Sequence, residues 1–456
     1  MAGRVKKRVS PPHDSPELTR SADPTQWTLQ SPPFDSISQV RFSPTNPEHL
    51  LVSSWDTTVR FYDTGDTDKP NEQKAKFDHR AAVLSCCWSD AANAYSGGLD
   101  CTVRHLALET EKTTPIGAHD DSISSMVWST STNALITGSW DRTLRFWDPR
   151  ADTPQQSSST MPERVYSIDI VGHMLVLAMA SRLVRIYDTR RMEAPLQERE
   201  SSLKYLTRSL ACMANGEGYA MASTEGRIAV EYFDAKPEVQ ANKYAFKCHR
   251  QTIEGVDHVW PVNALAFHPT YNMFASAGSD GIVSIWDPKA KKRLRQLNKF
   301  NNPVSSVAFS CDGARLAIAS SYTWDEGEAG AKTAERPAVT VKKLGDDIKV
   351  LGAMPELVLS FDVKDPLLAR CQHQCAIRLP CGEGVGRVYE GEAAVVSLLC
   401  SFASFLYPPP CSSSLAQNRA LVTRENPPRD DPPPPSALLG SPTSRVPATL
   451  VCSVNC

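Results

Sequence analysis

No stretch of uncharged apolar residues in this 456-residue chain is long enough to cross a bilayer. The longest, Ala393 to Tyr407, has 15 residues and runs into Pro408, Pro409 and Pro410, where a spanning helix takes about 20. The N-terminus offers Arg4, Lys6, Lys7 and Arg8 with no apolar run behind them, so no secretory leader is expected. Charge of one sign is not in excess either. The 49 Lys and Arg face 51 Asp and Glu, and without a global field any binding of nucleic acid or acidic lipid has to be local. The 13 cysteines show no regular spacing, which argues against a disulfide framework. Most of the early ones (Cys86, Cys87, Cys101, Cys212, Cys248, Cys311) sit inside apolar strand patterns and read as small hydrophobes. Cys371, His373, Cys375 and Cys381 lack the paired Cys-x-x-Cys knuckles of a structural zinc site. The expected setting is a reducing compartment, cytosol or nucleus, without direct membrane contact.

Signatures of catalysis are equally scarce. The chain has no Gly-rich phosphate loop, no Gly-x-Ser-x-Gly elbow and no His-Glu-x-x-His helix. Its recurring His and Asp lie at turns, where such side chains pin strand connections. A binding platform is expected, with no enzymatic activity, cofactor or metal.

What the chain does have is a repeat. Asp56, Asp100, Asp141, Ser181, Glu225 and Asp280 occupy equivalent turns separated by 44, 41, 40, 44 and 55 residues, close to the period of a β-propeller. After four of these turns a strand-patterned run closes on an aromatic-Asp pair: Tyr62-Asp63, Trp147-Asp148, Tyr187-Asp188 and Trp286-Asp287. The copy after Glu225 is one residue longer and ends Tyr232-Phe233-Asp234, and the copy after Asp100 has decayed to Leu106-Ala107. Upstream of each turn a second alternating strand ends at Phe42, Trp88, Trp128, Ile170, Met213, Phe267 and Phe309, which makes seven. Apolar residues at every second position put one strand face into a neighbouring sheet. A ring of seven four-stranded sheets buries both faces of each and leaves only short edges. The expected fold class is therefore all-β, a seven-bladed β-propeller over residues 25–350. A flexible arm, 1–24, precedes it and a mostly disordered Pro/Cys-rich tail, 351–456, follows, with fourteen of the 34 prolines falling after residue 352. The insertion Thr323 to Arg336 reads as a surface loop.

The repeat is least regular between 199 and 250, where the strings Arg199 to Arg208, Glu225 to Tyr232 and Lys243 to Arg250 each put cations beside turns. Arg208, Arg227 and Lys247 are 19 and 20 residues apart, so adjacent strands are expected to bring their heads together on one rim. From spacing alone, solvated or paired surface cations remain an open reading.

Over about residues 26 to 344 the repeat resembles the WD-repeat family. The resemblance implies ring closure with Gln26 to Leu29 beside Ala338 to Leu344. It also implies a structural hydrogen-bond network of His119, Asp141 and Trp147, with partial copies at His79 and Asp100 and at His249 and Asp280. The three cationic strings, together with Leu51 to Thr57, Tyr95 to Asp100 and Leu316 to Tyr322, are similar to one branch of that family. It holds the mitotic checkpoint proteins of the Bub-three type and their messenger-RNA export sisters of the Rae-one type. Ser201-Ser202, Val230-Glu231 and Tyr244-Ala245 resemble the checkpoint members.

That resemblance implies an adaptor of the spindle assembly checkpoint, monomeric within hetero-complexes, in the nucleus and at the kinetochore in mitosis. Its top face is implied to bind the acidic GLEBS motif of the checkpoint kinase and of its pseudokinase relative, and phosphorylated Met-Glu-Leu-Thr motifs of the kinetochore scaffold. The peptide-contacting residues would be Trp55, Lys204, Arg208, Arg227 and Lys247. An arginine fork accepts a carboxylate bidentately, and a phosphothreonine carrying about −1.5 to −2 charges suits Arg227 and Lys247 together. Trp55 is read either as an apolar anchor or as blade packing. The alternative is an export factor binding a nucleoporin GLEBS motif and single-stranded RNA. Ubiquitin enters as a partner only through the general use of propellers as ubiquitin-ligase substrate receptors, for which no string speaks. The tail after residue 352 resembles no known family.

Overall fold

The computed structural model describes residues 23, 25–65 and 73–345. The basic cluster at Arg4 to Arg8, the tail from 351 and its Cys371 to Cys381 group lie outside the described residues. The chain forms a seven-bladed β-propeller of four-stranded antiparallel sheets. In six blades the strands pair in chain order, as in blade three with Ile123–Ser129, Ala134–Ser139, Thr143–Trp147 and Gln155–Thr160. Blade seven combines Val304–Phe309, Arg315–Ser320 and Ala338–Lys343 with Gln26–Thr28 as its outer strand, Trp27 opposite Val341. Buried Lys342 is paired there with Asp23 at 2.5 Å.

The middle strands lie between adjacent blades and are apolar on both faces, like strands of a fully covered sheet. Val59 and Phe61 of blade one pack on Val83, Cys86 and Trp88 of blade two, and each fully buried aliphatic contributes roughly 1.5–3 kcal/mol. Outermost strands such as Gln155–Thr160 face solvent and are polar. Packing is tight enough to require glycine at position 117, where a Cβ would lie 2.1 Å from the Trp147 ring.

Polar groups on the innermost strands stitch every junction of the ring. The amides of Cys86, Met126, Ile168, Cys212, Leu265 and Val40 donate to Gln39, Ser85, Ser125, Asp169, Ser209 and Ser306 of the neighbouring blade, at 2.7–3.2 Å. Asn263 completes the circle by donating to the Val304 carbonyl at 2.9 Å. Each such bond satisfies a backbone group that would otherwise be buried unpaired.

Within blade three, His119 Nε2 lies 2.7 Å from Thr137 Oγ1, which also accepts Trp147 Nε1–H at 2.8 Å, and His119 Nδ1 lies 3.0 Å from Asp141. Burial lowers the His119 pKa below its ordinary 6.5, with Asp141 only partly offsetting it. The neutral imidazole thus donates from Nδ1 and accepts from Thr137. Blade six carries the same four-member chain in His249, Asp280, Ser276 and Trp286. Blade two keeps His79 on Ser96 at 2.8 Å, but Leu106 stands where the indole would be. Blade five departs further. Glu231 occupies the Trp147 position and is buried, accepting from the Tyr219 hydroxyl at 3.0 Å with Arg199 at 3.4 Å.

Two features have no counterpart in the repeat pattern. A hairpin of Arg250–Ile253 and Val256–Val259 rises between blades five and six, which accounts for the long interval between Glu225 and Asp280. The insertion in blade seven, read as loop, holds a short helix, Gly327–Ala331.

Candidate functional site: the loop-bearing rim

Every innermost strand has its register broken at its second residue. A bulge of this kind re-aims one side chain. The residues concerned are Ser38, Leu84, Ser124, Tyr166, Arg208, Asn263 and Ser305, and all line a central cavity of about 940 Å³. Arg208 is the one cation of that ring, and it is exposed. Ser38 and Ser124, at equivalent positions, turn to the Val83 and Val165 carbonyls of the next blade.

In four-stranded antiparallel sheets the starts of strands one and three and the end of strand four share one end. Arg208 is the second residue of the first strand of blade five (Thr207–Cys212), Arg227 begins the third (Arg227–Tyr232) and Lys247 ends the fourth (Tyr244–Lys247). Arg227 and Lys247 are register partners. The expectation that adjacent strands carry all three is corrected in part: the strand Gly218–Ser223 lies between Arg208 and Arg227. Nineteen residues make a full down-and-up excursion, which returns to the same end but skips a strand, about 10 Å of sheet. Lys204 is exposed in the loop that leads into blade five. Lys247 also borders a groove of about 230 Å³ against blade six, with Arg250, Trp286 and Arg293.

Among the described residues most exposed large hydrophobic side chains lie on this rim: Phe34, Trp55, Tyr205, Leu206, Trp324 and the hairpin residues Ile253, Val256 and Val259. Trp55 (47% exposed) and Trp324 (57% exposed) border the cavity mouth with Trp140, whose indole nitrogen is buried without a partner. Apolar surface gathered in this way marks a protein-binding face. Trp140 was missed from sequence although it precedes its turn aspartate as Trp55 does, in Ser-Trp-Asp. Trp324, in the insertion, left no such signal.

The description "WD domain, G-beta repeat" matches residues 25–63, 110–148 and 246–287. Mitotic checkpoint protein BUB3.1 of Arabidopsis thaliana is 48% identical over 322 residues, 70% of this chain and 92% of that protein. The chain belongs to the bub3 family of mitotic checkpoint proteins. Within reach of the same family lie mitotic checkpoint protein bub3 of Dictyostelium discoideum, 45% identical over 68% of this chain and 93% of that protein, and a Poly(A)+ RNA export protein of Schizosaccharomyces pombe, 38% identical over 66% and 85%. The solved structure of U3-55K superposes with a TM-score of 0.58 at 14% identity, over 70% of this chain and 98% of that one, a likeness of fold alone. Bub3 membership accounts for the scaffold, and among the described residues the rim gathers most of the exposed large hydrophobic side chains beside Lys204, Arg208 and Lys247.

Proposed function

We propose that the chain is a non-enzymatic adaptor of the spindle assembly checkpoint, acting in the nucleus and at the mitotic kinetochore. Its rim takes two anionic ligands at two places. An acidic GLEBS segment of the checkpoint kinase or its pseudokinase relative crosses the cavity mouth. Its carboxylates meet the Arg208 fork and Lys204, and its apolar residues rest on Trp55 and Trp140. A phosphorylated Met-Glu-Leu-Thr segment of the kinetochore scaffold places its phosphate between Arg227 and Lys247. The observation that carries this reading is the cross-strand pairing of those two cations at the sheet end that also bears Arg208. Calorimetry of Arg227→Glu against the phosphopeptide tests it: binding is lost while the fold persists, and an unchanged affinity removes the site.

A second reading, RNA export with a nucleoporin GLEBS partner, is favoured by the 38% identity to the export protein of fission yeast and by the exposed cations Lys289, Lys291, Lys292 and Arg293 on the outer edge of blade six. It requires salt-dependent binding of single-stranded RNA, read by gel shift with and without the nucleoporin segment.

A further inference from the structure

Glu225 departs from the rule that the other turn carboxylates follow. Asp56 accepts from the Thr58 amide and hydroxyl at 3.1 and 2.6 Å and from Arg60 at 2.9 Å. Asp100 accepts from the Thr102 amide at 3.1 Å and Arg104 at 2.9 Å, and Asp141 from the Thr143 amide and hydroxyl at 2.7 and 2.6 Å. Asp280 takes the Ile282 amide at 3.1 Å and His249 at 2.9 Å. In each case the turn consumes its own carboxylate. Glu225 is one methylene longer, and its Oε1 is buried without a hydrogen bond, 3.6 Å from an equally unpartnered Arg227 Nε. That separation permits charge attraction but exceeds a hydrogen bond.

The backbone holds the pair in place. Gly226 adopts φ +63°, and a Cβ there would lie 2.7 Å from the Cys248 carbonyl oxygen. Arg250 donates to the Glu225 carbonyl at 2.6 Å, and the Cys248 amide donates to the Gly226 carbonyl at 2.9 Å.

We infer that Glu225 is a specificity-determining residue that makes the Arg227–Lys247 site select a phosphate dianion over a carboxylate. This rests on the reading of that pair as a phosphate site. A ligand carboxylate that displaces Glu225 exchanges one single charge for another and gains little. A phosphothreonine brings a second charge and three acceptor oxygens, enough to take both Arg227 and Lys247. Glu225 would thereby keep glutamate-rich segments, suited to Arg208, off the neighbouring phosphate position.

The test uses the full chain, as wild type and Glu225→Gln, with Met-Glu-Leu-Thr peptides bearing phosphothreonine, glutamate or threonine at the last position. In the wild type the glutamate peptide binds no better than the threonine peptide. In Glu225→Gln the glutamate peptide tightens about tenfold, as a charged contact is gained, and the preference for phosphate over glutamate falls. An unchanged preference, at an unchanged thermal midpoint, overturns the inference. Should wild type not bind the phosphopeptide, the peptide reading of the site fails, and titration with inorganic phosphate and with acetate, followed by the NMR signal of the Arg227 Nε–H, decides the inference separately. Glu225→Gln is then expected to lower the acetate midpoint more than the phosphate midpoint; equal changes, or no response to either anion, overturn it.

Discussion

Arg227 and Lys247 face each other across the third and fourth strands of blade five, whereas Arg208, at the same end of that sheet, stands on the first strand with its side chain turned to the central cavity. One blade therefore carries two separate cationic points on one rim.

The separation predicts that the two ligands respond to different substitutions. Arg208→Glu is expected to abolish capture of the GLEBS segment and leave phosphopeptide affinity within about twofold, since sites this far apart with no shared partner behave additively. Calorimetry with each ligand on each variant checks this. Loss of both ligands in one variant would mean a single shared site.

Cross-strand neighbours that hold one phosphate should not act independently. A double-mutant cycle on Arg227→Ala and Lys247→Ala is expected to give a coupling of about 0.5–3 kcal/mol for the phosphopeptide and none for its unphosphorylated form. Zero coupling for both peptides would show that the phosphate does not bridge them.

Thr137 links two buried donors and acceptors in blade three. Thr137→Val keeps the shape but leaves His119 Nε2 and Trp147 Nε1 unpaired, at a cost of about 2–4 kcal/mol. Urea unfolding followed by circular dichroism reads the loss as a lower midpoint at constant slope.

His119, His105 and His268 all have pKa values below 6.5, with burial the leading cause in each. Such groups take up protons more readily in the unfolded chain, so their contribution is complete above the unfolded pKa and is lost as pH falls below it toward the folded values. The unfolding midpoint should hold steady from about pH 8 to 7 and drop as the pH falls below about 6.5. His119→Gln should make that drop shallower, and an identical profile would exclude His119 as a contributor.

Much of the fold was legible because its signals are local. Alternation marks the strand ending at Phe42 and its six counterparts, and the turn residues from Asp56 to Asp280 mark the blades without reference to anything distant. Glu231 shows where this stops. A glutamate six residues after its turn reads as a surface charge until the fold brings Arg199 and Tyr219 to it, and only then does its burial make physical sense. Trp324 and the Arg250–Ile253 hairpin were illegible for a related reason: insertions break the period that made the rest readable.

Blade number is written in the order of residues, because pairing along a chain and the two-residue period of a strand are properties of neighbours, whereas closure of the ring joins Trp27 to Val341 from opposite ends of the fold. Which cations meet is a property of the closed ring. Register puts Lys247 beside Arg227, a bulge sends Arg208 inward, and one extra methylene carries the Glu225 carboxylate to Arg227. The first two are set by contacts across strands, which no spacing along the sequence encodes, and the third matters because those contacts fix where Arg227 stands.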